Sequence, residues 1–394
     1  MTRPEIILAH PVRTAIGKFG GALKDTSAVE LGGLVIAETL RRARLAPEKV
    51  GGAILGSVIQ AGQGMNPARQ AARAGGLPVS VPAMTVNRVC GSGAQAIVTA
   101  AQEILSGQHR VAVAGGFEAM DRAPYLLDRG RFGYRMGPAE IQDAMLRDGL
   151  SDAFSGEHSG WHTEDLVARQ GLSRERQDAW ALRSQKRFAA ARDAFLFAPE
   201  IVGTPIKARY GTTLFAVDES PRPETTAEGL AALKPAFRAG GTLTAGNAPG
   251  LSAGAAAMIV ADRAWAEAEG LAPAARLISW GVAAVEPGLF GLGPIPAVRI
   301  ALERAGWRLS DLERVEINEA FAAVPLAVCD ELGLPEDVVN VEGGAIAHGH
   351  PIGATGAILL TRLIHGMARA GQRRGLVTLC IGGGMGIAVA VERP

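Results

Sequence analysis

Two stretches of this chain repeat each other at a nearly constant spacing. Arg42-Ala43-Arg44-Leu45-Ala46-Pro47-Glu48-Lys49-Val50 is echoed by Arg304-Ala305-Gly306-Trp307-Arg308-Leu309-Ser310-Asp311-Leu312-Glu313-Arg314-Val315, an offset of 265 from Val50 to Val315. Gly107-Gln108-His109-Arg110 is echoed by Gly371-Gln372-Arg373-Arg374 at an offset of 264. In the first pair a helix end leads through a short link to a strand. In the second an apolar strand follows, then a glycine cluster, Gly115-Gly116 or Gly382-Gly383-Gly384. Two independent echoes at almost the same offset predict two similar halves related by a pseudo-twofold axis.

The periodicity gives each half its elements. Ile6–Ala9 reads as a strand, and a helix follows from about Ser27 to Arg44. Next come the apolar run Ala53 to Ile59, a helix from Asn66 to Ala74, a β-branched run into Cys90, a helix that stops at Gly107, and the strand Val111–Ala114. This βαβ alternation implies a parallel or mixed sheet with helices on both faces. From about Asp121 to Thr242 the alternation is lost. One helix is expected there, opened by Ser173 as N-cap with Glu175 in its first turn. Its core-facing stripe would be Trp180, Ser184, Phe188, Ala191 and Phe195, with a loop over Asp218 to Glu228. Leu251 to Val260 reads as a return to the first sheet. The alternation resumes with helices at about Ile295–Ala305, Ala320–Leu332 and Ala357–Ala370, a strand at Val315–Ile317 and two closing strands. The expected fold is α/β, with two duplicated βαβαβαββ halves packed about a pseudo-twofold. Residues 1–120 and 249–268 form the N-terminal half, 121–248 an inserted loop domain, and 271–394 the C-terminal half.

Charge and cysteine usage narrow the partners. A formal net charge of +1 argues against nucleic acid or an anionic membrane as the main partner. The three cysteines, Cys90, Cys329 and Cys380, are odd in number and far apart, which suits a reducing compartment rather than a disulfide framework. The apolar run near the N-terminus is too short for a signal peptide, and no uninterrupted apolar run is long enough to span a bilayer. The expectation is a soluble, cytoplasmic protein.

Chemistry centres on the turn Val89-Cys90-Gly91-Ser92-Gly93. A cysteine at a strand-to-helix turn sits among free N–H groups at the positive end of a helix, which favours a thiolate. A small buried thiol in a tight turn is the plainer alternative. The duplication offset carries Cys90 to the neighbourhood of Ala354, so the equivalent turn is Gly343 to Gly356, containing His348-Gly349-His350-Pro351. If the halves pack symmetrically, these turns face each other and supply a Cys–His nucleophile–base pair. A hydrogen-bonded core histidine is the alternative. A metal site would need a second ligand pair, which the sequence lacks nearby. Asn318-Glu319-Ala320-Phe321 follows a second-half strand, where an amide could hold a water, and Cys380 sits at another strand end before Gly382.

Together, Val89-Cys90-Gly91-Ser92-Gly93, Asn318-Glu319-Ala320-Phe321, Gly349-His350-Pro351 and Cys380-Ile381-Gly382-Gly383-Gly384 resemble, in order, the four signature blocks of the thiolases. The resemblance runs from Pro11-Val12-Arg13-Thr14 to the C-terminus. It implies an acetyl-CoA C-acyltransferase that cleaves 3-ketoacyl-CoA with CoA, or condenses acetyl-CoA with an acyl-CoA, through an acyl-Cys90 intermediate. By the same resemblance His350 is the base, Cys380 a second acid/base, and His350 with a water on Asn318 one oxyanion hole. The N–H groups of Cys90 and Gly382 form another. Arg222 would lie near the adenine or phosphates, Phe237 and His158 near the pantetheine, and Phe321 and Met120 near the acyl pocket. No metal or separate cofactor is implied, because CoA is itself a substrate. Fatty-acid metabolism (β-oxidation) and a homo-oligomer of dimers paired into tetramers are implied too.

Two positions depart from the family pattern. His158-Ser159-Gly160 stands where biosynthetic members have His-Met-Gly, and Asn247-Ala248-Pro249-Gly250 where they have Asn-Ala-Ser-Gly. Both bear on the acyl group and the hold on CoA rather than on the reaction. The rival readings are a condensing enzyme of the ketoacyl-synthase type, which needs no cysteine at 380, and a non-catalytic acyl-CoA-binding protein of the same fold.

Overall fold

The computed structural model describes residues 4–207 and 211–394. Met1 to Arg3, where the stretch read as too short for a signal peptide begins, lie outside the described residues. The N-terminal half runs β1 (Ile6–Thr14), α1 (Ala28–Ala43), β2 (Gly52–Gly56), α2 (Pro67–Ala74), β3 (Ala83–Val86), α3 (Ser92–Leu105) and β4 (Val111–Ala119). The insertion then contributes α4 (Ser159–Gln170) and α5 (Arg174–Asp193), and β5 (Ser252–Asp262) returns to the sheet. The second half runs β6 (Ala275–Ala284), α6 (Pro294–Ala305), β7 (Arg314–Ile317), α7 (Ala323–Leu332), α8 (Thr355–Ala370), β8 (Arg374–Ile381) and β9 (Met385–Glu392). Local chemistry sets the boundaries. Ser27 and Glu30 close a reciprocal capping box on α1, and Arg44 ends that helix in a left-handed conformation at φ 51°.

Sheet order displays the duplication directly. The strands lie in the order β7-β8-β9-β6-β1-β5-β4-β2-β3. Outward from the centre, the first half places its first, last, fourth, second and third strands. The second half repeats this, with a parallel bridge from Val315 to Val339 standing for its third strand. Directions match as well. The two inner pairings of each half are antiparallel, and β4–β2, β2–β3 and β8–β7 are parallel. β1 and β6 meet antiparallel at the join, as a twofold axis perpendicular to the sheet requires.

Because helices cover both faces, strand residues alternate between two cores rather than between core and solvent. Ala256, Met258 and Val260 of β5 face the central core with α3 and α8, while Ala255, Ala257 and Ile259 face the outer core with α1 and α2. In the second half Val377 and Leu379 face inward, and Leu376 and Cys380 outward. The layers are therefore α1/α2, sheet, α3/α8, sheet, and α6/α7 with the insertion. At the centre the two buried helices cross at their N-termini. A β-carbon on Gly93 would lie 2.8 Å from the amide nitrogen of Ala357, and one on Gly356 would enter the backbone of Ala94. Only glycine permits that approach.

The insertion is less loop-like than expected. Two long helices occupy it rather than one, since α4 precedes α5, and a short third helix spans Ala227–Ala231 at the end of the expected loop. α4 lacks the usual Ser, Thr or Asp cap. Instead the His158 ring accepts from Gly160 N at 2.9 Å, so no standard start signal marks it. The expected stripe on α5 holds for Trp180, Ser184, Phe188 and Ala191, which are buried. Phe195 falls beyond the helix end at φ 56° and is 79% exposed. The chain has already turned off the helical path there. No helix among the described residues is long and apolar enough to cross a membrane.

Candidate active site

A cavity of about 860 Å³ opens at the carboxyl ends of the parallel strands, where open α/β sheets place their ligands. Each strand end delivers something to it. The turn after β3 carries Cys90, the residue after β4 is Met120, that after β7 is Asn318, and that after β8 is Gly382. Cys90, Met120, His158, Phe237, Phe321, His350 and Gly382 all line the cavity. Asn318 and Cys380 are fully buried. Asn318 Nδ2 lies 3.3 Å from His350 Nε2, and Cys380 is near enough to Cys90 for a thiolate there to raise it. Arg222 stands apart, with an exposed side chain outside the cavity lining and its backbone N–H donating to Gln185 at 2.8 Å.

Val89 holds a left-handed φ of 43°, an unfavourable conformation for a β-branched residue. That bend presents the Cys90 side chain to the cavity, and its thiol meets the N–H of Gly382 and its own N–H. The sequence reading placed a low-pKa thiol here, and the structure corrects it. Burial pushes the Cys90 thiol up to about 11, outweighing those two N–H groups, and Glu118 pushes further in the same direction. Cys90 rests as a thiol.

His350 is prepared as a base. Thr355 Oγ1 donates its one hydrogen to Pro351 O at 2.9 Å, so it must accept from His350 Nδ1 at 2.6 Å. The proton therefore sits on Nδ1, leaving Nε2 bare beside Asn318. Burial holds the imidazole down to about 4, so it is neutral near pH 7. Ser252 Oγ accepts from His350 N at 3.1 Å and donates to Gly250 O at 2.8 Å, fixing the turn against the strand that returns from the insertion. Asn318 Oδ1 has no partner among the described residues, leaving an acceptor for a water. Cys380 is held well above the ordinary thiol range, by burial first and by Cys90 second. An aromatic wall faces these groups, with His158 stacked on Phe237 at 4.8 Å and Phe237 edge-on to Phe321 at 5.6 Å. Among the described residues no three His, Cys, Asp or Glu side chains cluster to hold a metal ion. His348 is fully buried, its ring 5.8 Å from that of Phe188.

Sequence reasoning passed over several residues that hold this arrangement. Thr355 and Ser252 fix the ring and backbone of His350. Glu319 accepts from Trp180 Nε1 (2.9 Å), Ser184 Oγ (2.8 Å), Asn340 Nδ2 (2.9 Å) and Ile346 N (2.9 Å), tying α5 to the turn that carries Asn318. Glu118 is the remaining one. A lone acid ending the apolar strand Val111–Ala119 was the visible signal for it.

The chain's likenesses match this geometry. A family model described as the thiolase N-terminal domain matches residues 6–264, and one for the thiolase C-terminal domain matches 271–393. An acetyl-CoA acetyltransferase of Chromobacterium violaceum is 49% identical over 391 residues, covering 99% of this chain and 100% of that protein. One of Escherichia coli is 48% identical over 388 residues, covering 98% of each. The crystal structure of a Bacillus anthracis acetyl-CoA acetyltransferase superimposes with a TM-score of 0.97 at 43% identity, covering 100% of this chain and 99% of that one.

Proposed function

Since the chain belongs to the thiolase family, we propose that its cavity cleaves 3-ketoacyl-CoA with free CoA, and runs the reverse condensation of acetyl-CoA with an acyl-CoA, through an acyl group carried on Cys90. The observation that carries this reading is the bare, neutral Nε2 of His350 in a cavity shared with a cysteine thiol.

Cys90 gives its proton to His350 Nε2 as its sulfur attacks the 3-keto carbon. The bond between C2 and C3 breaks, and its electron pair passes into the thioester enolate. Cys380 protonates that enolate at C2, releasing acetyl-CoA from an unbranched substrate and leaving a thiolate. That thiolate takes the proton of incoming CoA, whose sulfur displaces the acyl group from Cys90. The departing Cys90 sulfur recovers its proton from His350. His350 with a water on Asn318 stabilises the enolate oxygen, and the Cys90 and Gly382 N–H groups stabilise the acyl-enzyme oxyanion. No metal or separate cofactor enters these steps.

Specificity for acetoacetyl-CoA is the part of this reading that the two departures bear on. Ser159 and Pro249 both line the cavity, so the departures noted in the sequence fall where acyl group and pantetheine would lie. Arg222, Phe237 and His158 hold CoA in this reading, and Met120 and Phe321 border the acyl group. A homo-oligomer, dimers paired into tetramers, accords with Phe132 and Met136, which are 92% and 90% exposed. Three free cysteines accord with the cytoplasm, and cleavage of 3-ketoacyl-CoA with β-oxidation.

Mass spectrometry of the protein mixed with acetoacetyl-CoA tests the reading. An acetyl group of about 42 Da is expected on the peptide containing Cys90, and none on Cys90→Ala. CoA binding without any adduct would return the chain to the non-catalytic alternative. Thiolytic kcat/KM across acyl lengths then assigns the substrate.

A further inference from the structure

Glu118 takes no part in the steps above, yet it lies beneath them. It is the penultimate residue of β4, it is fully buried, and its carboxylate accepts from three backbone N–H groups. Val58 N and Gly353 N reach Oε2 at 3.0 Å each, and Ile59 N reaches Oε1 at 3.3 Å. No cation pairs with it among the described residues. The three donors come from two places far apart in the chain. Val58 and Ile59 belong to the loop after β2 and pack with Met120, Met145 and Ile352 in the apolar cluster beside Cys90. Gly353 closes the turn that begins at His350. One carboxylate thus bridges the two halves at the floor of the cavity.

We propose that Glu118 is a positioning residue for the reaction, whose ionised carboxylate holds the Val58–Ile59 loop and the His350–Gly353 turn at a fixed separation around Cys90. This rests on the thiolase reading given above. Three N–H groups converge on the two oxygens; a carboxylate accepts all three with no hydrogen to place, whereas a carboxylic acid must fit its own O–H among those donors. Protonation would fall on Oε1, which accepts only the longer bond from Ile59. It would set a hydrogen against that N–H while Oε2 keeps Val58 and Gly353. The loop bordering the acyl pocket loosens first, and the His350 turn stays. Burial raises the Glu118 carboxyl to about 7 against the pull of its three donors, so the change falls within the working range. The titratable groups of the proposed reaction are Cys90 on the β3–α3 turn, His350 before α8 and Cys380 on β8. Cys90 and Cys380 are raised and His350 is lowered, so none of them titrates near 7.

The same negative charge raises the Cys90 thiol, which gives the proposal a second, independent readout. Glu118→Gln keeps the shape but points an amide N–H at Ile59. Its thiolytic kcat/KM at pH 8 is expected to fall by about ten- to a hundredfold. Wild type should show a rise in kcat/KM through about pH 7 that is missing in Glu118→Gln and kept, at lower amplitude, in Glu118→Asp. In the Gln variant iodoacetamide should alkylate Cys90 at lower pH than in wild type, an effect that mere loosening of a loop does not produce. Wild-type thermal unfolding and far-ultraviolet circular dichroism check the fold of each variant. A Gln variant with wild-type activity and pH profile overturns the proposal. So does one that loses activity but keeps the limb near pH 7, since another group then titrates there. Absence of wild-type thiolysis and of acyl-Cys90 would instead remove the thiolase reading itself.

Discussion

At the scale of single residues, the site is governed by burial acting on groups whose types were already plain. The Cys90 turn has the N–H groups and helix start that lower a thiol, yet the thiol goes up to about 11 because the cavity floor removes its water. Inactivation by iodoacetamide should therefore keep accelerating through pH 9 to 10 in the unliganded enzyme. A rate that levels off near pH 7 would show a resting thiolate and sink this account. His350 depends on Thr355 for its tautomer. Thr355→Val leaves the shape but removes the acceptor for Nδ1–H, so kcat should fall by about ten- to a hundredfold with little change in the KM for CoA. An equal loss of kcat and gain in KM would mean that the turn had collapsed instead. Asn318→Ala removes one side of the proposed enolate site and should cost about 3–4 kcal/mol in barrier, impairing turnover without abolishing it. Steady-state kinetics at saturating CoA reads this directly.

At the scale of elements, the crossing of α3 and α8 sets the distance between the two halves of the site. Gly93 and Gly356 occupy matching positions at the two helix starts, and each meets backbone of the other helix. Gly356→Ala is expected to lower stability by about 1–3 kcal/mol, as overpacking does in a close-packed core. It should also reduce activity in the folded fraction, since α8 carries Thr355 at its first position. A variant with wild-type Tm would show that the helices can separate freely. The insertion works as an element too. Through Trp180 and Ser184, α5 grips Glu319, so the piece that closes the cavity also steadies the turn holding Asn318.

For the whole molecule, interior carboxylates make stability depend on pH. Glu316 on β7 is fully buried, neither oxygen has a hydrogen-bond partner among the described residues, and burial raises it to about 7 despite Arg362 and Arg314 nearby. A carboxyl with a raised native pKa binds its proton more tightly in the folded state. Its favourable contribution is complete below its unfolded value of 4.5 and is lost as pH rises through about 7. Glu316→Gln should therefore be more stable than wild type by about 1–3 kcal/mol at pH 8, and equal to it near pH 4.5. Urea denaturation midpoints at the two pH values decide this. A gain of the same size at both would point to packing rather than to the proton.

The sequence by itself determined the architecture and the position of the groups proposed to react. The offset that pairs Gly107 with Gly371 announced two halves, and both glycines end their helices at positive φ, 81° and 67°. Strands buried on both faces read as unbroken apolar runs, so the βαβ alternation stood out wherever a sheet lay between helix layers. Cys90, Asn318, His350 and Cys380 stood out because each follows a strand or opens a helix, where backbone pattern and side chain change together. Tertiary structure alone decided their states. Whether Cys90 is thiol or thiolate and what Glu118 holds are settled by desolvation and by hydrogen bonds between residues as far apart as Glu118 and Gly353. Where His350 keeps its proton is set nearer by, through Thr355 and Pro351, but only once the turn has folded back on the helix start. Helix α4 escaped notice for a related reason, since its cap is a histidine ring whose orientation comes from stacking on Phe237. The Cys90 turn marks that division. Its position was legible in the chain, and its proton belongs to the fold.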